Sequence, residues 1–569
     1  MPKLWKLKPI ISEEAMGSLS RYPFFISQLL YNRGILTEAS AEAFLKVDYK
    51  SQHSPFLFKD MEKAVKRIFQ AIEKKETIYI YGDYDADAVT ANAVLQQAFF
   101  MLNFQVSSYI PDRFTEGYGL NLEAFEKIKK EGCSLVITVD CGTNSVDVAD
   151  FCNSNNIDLI ITDHHEIIGI LPKAHSLINP KNANDNYPFK NITGVGVAFK
   201  LASALLKDLK AKIYNPTLPE GSEKWLLDLV AIGTVADCHS LMGENRIFVK
   251  YGLLVLPKTK WQGLRALCVK AGLNFEAQKP DTYSLGFIIA PRLNAAGRLE
   301  HANIALSILL EQDQNSATLK ADNLEKINIR RQELTMRVVS EARAQAETMT
   351  QRKMLLLMDS DWPKGIVGLV AGKIAEEFHK PTIVLEKGPL ESTGSARTVG
   401  NFNVVESLKY ASEFLLRFGG HKQAAGLTLK TSEYENFYAK LLEFAEKNLT
   451  ENDLTSEIEL EAELLEVDIS TQTLEALEGF GPFGVDNQKP KFLISKALLL
   501  SVKFVGKEQQ HMQLLIQKGN KKISGIMFNA GNFARNLKIG DNIDIVAELI
   551  EDNWKGKKEV KLRVIDLRM

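Results

Sequence analysis

Three short apolar runs, each leading into an aspartate, constrain this chain more than any other feature. Thr77–Tyr81 (TIYIY) leads into Gly82-Asp83-Tyr84-Asp85-Ala86-Asp87, Ser134–Val139 (SLVITV) ends at Asp140, and Ile157–Thr162 (IDLIIT) ends at Asp163-His164-His165. All three have the length and β-rich content of buried strands. Helical stretches alternate with them, among them the amphipathic Met61–Lys74 and the apolar Val89–Leu102. This βαβα rhythm predicts a parallel sheet covered by helices. Open sheets of that kind take their ligands at the carboxyl ends of the strands, which is where the acids recur.

A single aspartate after a strand is ordinarily a helix cap or a turn residue. The recurrence needs another reason. Asp85 and Asp87, two apart, project from one tight turn, and such crowding of negative charge is costly unless cations are bound. A fourth acid, Asp237, ends the apolar helical run Ala231-Ile232-Gly233-Thr234-Val235-Ala236. Carboxylate oxygens with an imidazole, and no thiolate, suit Mn²⁺ or Mg²⁺. His175, His239 and His301 are read as structural.

The 569 residues are too many for one core. Residues 1–50 form a helical lead-in, 51–310 the α/β domain, and 351–450 a second, smaller α/β unit. Residues 311–350 lack Gly and Pro and predict a long connecting helix. After 451 the pattern changes to short β-type runs broken by KGN, NAGN, GDN and KGKK, which predicts a β-barrel of OB type. Lys518–Lys522 and Lys555–Arg563 are basic, and Phe504, Phe528 and Trp554 lie beside them. Cations interleaved with aromatic platforms suit single-stranded nucleic acid; a solvated surface over core aromatics is the other reading. A net charge of −2 excludes a protein that coats nucleic acid through a global basic field, but not one with a local basic groove. Five cysteines without a CxxC pair argue against structural zinc. The start has no signal-peptide pattern and no run spans a membrane, so a cytoplasmic location is expected.

The quoted motifs resemble those of the DHH phosphoesterases: Asp83-Tyr84-Asp85-Ala86-Asp87, Asp140-Cys141-Gly142, Asp163-His164-His165 and Gly233-Thr234-Val235-Ala236-Asp237. Further matches run in order: Ile110–Gly119 (IPDRFTEGYG), Pro291–Arg298 (PRLNAAGR), Gly394-Ser395-Ala396-Arg397, Gly419-Gly420-His421 and Gly481-Pro482-Phe483-Gly484. These are similar to the family's single-strand-specific exonucleases. The resemblance implies metal-dependent 5′→3′ hydrolysis of single-stranded DNA to 5′-mononucleotides, in recombination and repair. It implies two ions, Mn²⁺ or Mg²⁺, with Asp140 bridging, Asp85 on one, and Asp87, His164 and Asp237 on the other. His165 would bond the scissile phosphate. Arg113, Tyr118, Arg292, Asn294, Arg298, Ser395, Arg397, Gly420 and His421 would bind substrate. By analogy the partners are the single-stranded DNA-binding protein and a RecQ-type helicase, with the chain a monomer and no membrane involved. The family usually has Gly where this chain has Ala88, tolerable if φ is negative. The wider family has His where Tyr81 stands, and Asp83 would then substitute as a ligand. Two other readings remain: a DHH hydrolase of small substrates, and a metal-dead scaffold, against which the full set of acids argues.

Overall fold

A computed structural model of the chain describes residues 3–530, 537–552 and 559–569. The chain divides into two compact units. The first holds residues 55–237 and 255–456; the second holds 4–54, 238–254 and 457–569.

In the first unit a five-stranded parallel sheet runs in the order Ser107–Tyr109, Thr77–Gly82, Cys133–Val139, Asp158–Thr162, Ser176–Ile178. Its central strands are buried along nearly their whole length, as expected of a sheet with helices on both faces. The helix Ala86–Met101 follows the first acidic strand, and Gly194–Lys207 and Leu227–Ala236 pack against it. The expected connecting helix is Gln314–Glu347, started by Asp313, whose carboxylate accepts from the Ser316 amide at 2.7 Å. Its first half carries buried Ala317, Ala321, Leu324 and Ile327; its last turns add Val338, Val339, Ala342 and Ala346 to the core under a second sheet.

That second sheet runs Leu415–His421, Ala424–Lys430, Glu391–Arg397, Thr382–Glu386, Leu355–Asp359, with only the last pair parallel. On one face Ala396, Ala425, Leu427 and Leu429 pack against Val404, Leu408, Phe437 and Leu441. On the other, helix Lys364–Phe378 covers the strands from Leu355–Asp359 to Glu391–Arg397. The hairpin Leu415–Lys430 continues this face with Arg417, Gly419, His421, Ala424, Gly426 and Thr428. These residues offer a helix nothing apolar of any size to bury, so the coverage ends there.

The second unit contains the expected barrel. Phe492–Val505, His511–Lys518, Lys521–Met527, Glu559–Arg568 and Asn542–Asp552 pair in sequence, and Phe492–Val505 closes on Asn542–Asp552. The lead-in is not separate from it. Leu4–Leu7 pairs with Glu457–Leu460, and Leu19, Leu29 and Leu30 share a core with Ile494, Leu499 and Ile516. Buried Arg246 ties the unit together by donating to the carbonyls of Phe44, Gly479, Phe480 and Pro482. Phe504 and Phe528 are partly exposed, as a stacking platform requires. Lys518 and Lys521, however, bond the carbonyls of Ser495, Glu466 and Ile469. Trp554 and residues 555–558 of the basic cluster lie outside the described residues. No helix of the described residues is long and apolar enough to cross a membrane.

Candidate active site

The chain turns sharply after each acidic strand, and backbone amides fix Asp85, Asp87 and Asp163. Asp85 caps helix Ala86–Met101, its Oδ1 accepting from the Ala88 amide at 3.0 Å. Cap and cluster member are the same residue, so the bland reading and the functional one both hold. Asp87 lies in the first turn of that helix and points at the N-terminus of Gly194–Lys207. Its Oδ2 accepts from Gly194 N at 2.8 Å and its Oδ1 from Val195 N at 2.9 Å, where the helix dipole favours an anion. A Cβ on Gly194 would lie 2.6 Å from the Asp140 Cβ, and one on Gly233 would lie 2.9 Å from Asp87 Oδ1. Both glycines are therefore required by close approach.

Asp140 sits at φ +60°, its amide donating to Thr162 O at 3.0 Å. His164 Nε2 lies 3.0 Å from Asp140 Oδ1 and 3.8 Å from Asp237 Oδ2. Asp163 points the other way. Its Oδ1 accepts from His164 N and from His165 N and Nδ1, and its Oδ2 accepts from Thr143 N. The Nδ1 contact turns His165 Nε2 toward the cleft, where it meets the Tyr118 hydroxyl at 3.0 Å.

Burial, and then the charge of neighbouring acids, Asp237 among them, hold the carboxyls of Asp83, Asp85, Asp87 and Asp140 above the usual carboxylate range. Asp163 goes the other way. Burial opposes its charge, but the His165 and Thr143 hydrogen bonds and the imidazole charges outweigh burial and hold it well below that range. His165 loses charge preference to burial and regains more from Asp163, so it is raised. Among the described residues no lysine or arginine forms an ion pair with Asp83, Asp85, Asp87 or Asp140. Asp83 Oδ1 is buried without a hydrogen-bond partner. A crowded set of carboxylate oxygens beside the imidazoles of His164 and His165, with no lysine or arginine partner among the described residues, fits hard divalent cations.

A second cluster is of opposite sign. Burial, and then Arg113, Arg331 and Arg397, push the Arg298 guanidinium down to about 9. Arg298 reaches Gly365 O at 3.2 Å, Arg397 bonds Ser395 Oγ at 2.6 Å, and Arg113 lies over the Tyr84 ring. Arg331 Nε is buried without a hydrogen-bond partner among the described residues. Among the described residues none of Arg113, Arg298, Arg331 and Arg397 pairs with a carboxylate. A cleft of about 920 Å³ lies between Tyr84, Asp85, Tyr118 and His165 on one side and Gly419, Gly420, His421 and Gly426 on the other.

Two residues expected to bind substrate are otherwise engaged. Arg292 bonds Glu325 through Nε at 2.6 Å and Nη2 at 3.1 Å, and Ile288 O through Nη1. Asn294 Oδ1 accepts from the Ala86 amide at 2.9 Å and so buttresses the acidic turn. Sequence reasoning passed over Arg331, which stands mid-helix without a motif, and the Gly194 helix terminus. The capping Thr193 before Gly194 was the available signal for the latter.

Comparison with known proteins bears on both clusters. The DHH family N-terminal domain matches residues 77–234, the DHHA1 domain 351–450 and the RecJ OB domain 460–566. The single-stranded-DNA-specific exonuclease RecJ of Bacillus subtilis is 38% identical over 546 residues, 95% of this chain and 67% of that protein. The Escherichia coli RecJ is 31% identical over 97% of each chain. The crystal structure of RecJ with Mn²⁺ from Thermus thermophilus superposes with a TM-score of 0.83 at 27% identity, over 100% of this chain and 79% of that one. A second exonuclease RecJ structure, bound to manganese, matches at 31% identity and TM-score 0.60, over 71% of this chain and 100% of that one.

Proposed function

The chain belongs to the DHH family and, within it, to the single-stranded-DNA-specific exonucleases RecJ, and on that premise we propose that it removes 5′-mononucleotides from single-stranded DNA in the 5′→3′ direction. The observation that carries this reading is the neighbouring pair of clusters: among the described residues the acids have no lysine or arginine partner and the arginines no carboxylate partner, yet they stand close enough that Asp85 acts on Arg298 and Arg113 on Asp83. A phosphodiester with a terminal phosphate, together with divalent cations, supplies what each lacks.

Asp85, Asp87, Asp140, His164 and Asp237 are the residues that would hold two divalent cations, with Asp83 behind them. When bound, such ions make hydroxide available at neutral pH and neutralise charge developing at phosphorus. The chain's own groups do the rest. Asp163 fixes the tautomer and direction of His165, whose Nε2–H donates to a non-bridging oxygen of the scissile phosphate. Arg113, Arg298, Arg397 and Ser395 hold the terminal phosphate, and the planar guanidiniums favour its oxygens over neutral groups. A strand seated by its 5′ phosphate presents the next phosphodiester to the acids, which gives the polarity. Tyr118 and the strand end Gly420–His421 border the path of the first nucleotide. Arg292 is left out of this seat because Glu325 occupies it. Recombination and repair are the setting, and the single-stranded DNA-binding protein and a RecQ-type helicase are the expected partners.

The test is digestion of single- and double-stranded DNA, labelled at either end, with Mn²⁺, Mg²⁺ or chelator. Release of labelled mononucleotide from 5′-labelled single strands, dependent on metal, is expected. Activity confined to duplex, or initial release from the 3′ end, overturns the reading.

A further inference from the structure

We propose that Arg417, with Thr428 and Thr393, forms a second seat for an anionic phosphodiester oxygen of the bound strand, beyond the terminal-phosphate seat. This rests on reading the cleft as a strand-binding site.

The open face of the second sheet is laid out in rungs. Arg397 pairs with Ala424, and Ala424 with His421; Ser395 pairs with Gly426, and Gly426 with Gly419; Thr393 pairs with Thr428, and Thr428 with Arg417. The first rung carries Arg397 of the terminal seat. The second carries Ser395 of the same seat and then two glycines, with nothing within 4 Å of where a Cβ on Gly419 or Gly426 would stand. The third is again polar. Arg417 Nε donates to Thr428 Oγ1 at 3.1 Å, and Thr428 Oγ1 lies 3.1 Å from Thr393 Oγ1. A register shift between Leu415 and Arg417 re-aims the strand there. Arg417, Thr428, Thr393 and both glycines line the cleft that holds Asp85 and His165.

The guanidinium is thus fixed at Nε by a threonine pair, while its two terminal nitrogens carry no hydrogen bond to the described residues. Among those residues no carboxylate pairs with it. Arg292 shows what a structural arginine does in this protein, closing a fork on Glu325. Arg417 holds the same fork open toward the cleft. Thr393 and Arg397 are four residues apart on one extended strand, about 13 Å. Arg417 lies two strands across from Thr393, so the backbone positions of Arg397 and Arg417 stand farther apart than that, and the glycine floor between them leaves room for more than one nucleotide of a flexible strand.

The experiment compares wild type with Arg417→Gln and Arg417→Lys. Binding of a 3′-labelled 20-nucleotide single strand is measured in chelator by fluorescence anisotropy across a salt series, followed by KM with Mn²⁺. Arg417→Gln is expected to weaken binding about tenfold and to lower the slope of log affinity against log salt by about 0.7, the value for one phosphate contact on a single strand. Arg417→Lys keeps the slope and loses only part of the affinity, because it keeps the charge without the fork. In catalysis the loss grows with length, being smaller on a 5′-phosphorylated dinucleotide than on the 20-mer. An unchanged slope and affinity in a folded Arg417→Gln protein overturns the proposal. Wild-type binding without metal-dependent cutting would refute the nuclease reading and leave the Arg417 result standing. Absence of wild-type binding would overturn both.

Discussion

The carboxyl end of the first sheet and the arginine cluster beside it are built by the same rule with opposite sign. At the first, Asp83, Asp85, Asp87 and Asp140 are gathered without a lysine or arginine partner among the described residues, and their carboxyls are held above the ordinary range. At the second, Arg298 is gathered with Arg113, Arg331 and Arg397, and its guanidinium falls to about 9. Each region keeps its charge at a cost that internal pairing would remove. Elsewhere the same chain pairs its buried charges readily, as Arg67 does with Asp158 and Glu76. The difference teaches that neither cluster serves stability. On the function proposed above, each is completed by a ligand, and the two ligands are halves of one substrate complex.

Removing one acid should break the comparison most severely. Asp140→Asn is expected to lower the nuclease rate on the order of a thousandfold or more, while single-strand binding in chelator persists. Loss of binding in step with activity would mean that the acids serve the fold. Next comes the arginine side. Arg397→Gln should raise KM for 5′-phosphorylated strands by about ten- to a hundredfold, as loss of a charge-assisted contact implies. Strands with a 5′ hydroxyl should be affected far less. Equal losses on both would show that Arg397 does not read the terminal phosphate.

A buried acid outside the clusters sharpens the contrast. Asp228 stands at the start of the helix that leads to Asp237, and accepts from the Leu229 amide at 2.8 Å and Trp261 Nε1 at 3.2 Å. Burial pushes its carboxyl up to about 6. With the folded-state value above the unfolded one, its contribution to stability is full below about pH 4 and is lost as pH rises through 6. Asp228→Asn removes that loss. The difference in urea-unfolding free energy between variant and wild type should therefore move by about 3 kcal/mol in the variant's favour between pH 4 and pH 8. A difference that does not vary with pH would show that the acid is already charge-compensated.

The acid region was legible in the sequence because each acid follows a strand, and a strand's end is a local signal. The parallel sheet, the connecting helix and the barrel followed from periodicity and turn residues over short windows. The arginine region was legible only where a motif flanked the residue, as Gly394-Ser395 does Arg397. Arg331 and Arg417 carry no local mark, since their meaning depends on which strands and helices meet. Arg292 misled for the same reason: its motif matches, but its partner Glu325 is 33 residues away and invisible to spacing. The union of residues 4–54 with the barrel is likewise a matter of tertiary pairing, made by Leu4–Leu7 on Glu457–Leu460.

The smallest effect concerns Ala88, where the chain departs from its family. Ala88 is buried in the first turn of Ala86–Met101, is not among the residues with positive φ, and gives its amide to Asp85. The turn therefore asks nothing of position 88 that only glycine can supply. What it asks for is the N–H, which either residue has. Glycine would restore the family residue yet add backbone freedom to the unfolded chain. Ala88→Gly is thus expected to destabilise by about 0.5–1 kcal/mol, read as a lower urea midpoint, with the Mn²⁺-dependent rate close to wild type. A large gain in rate would instead mean that the alanine methyl strains the acidic turn, and the acid region would then owe its geometry to side-chain packing rather than to the amides that hold Asp85 and Asp87.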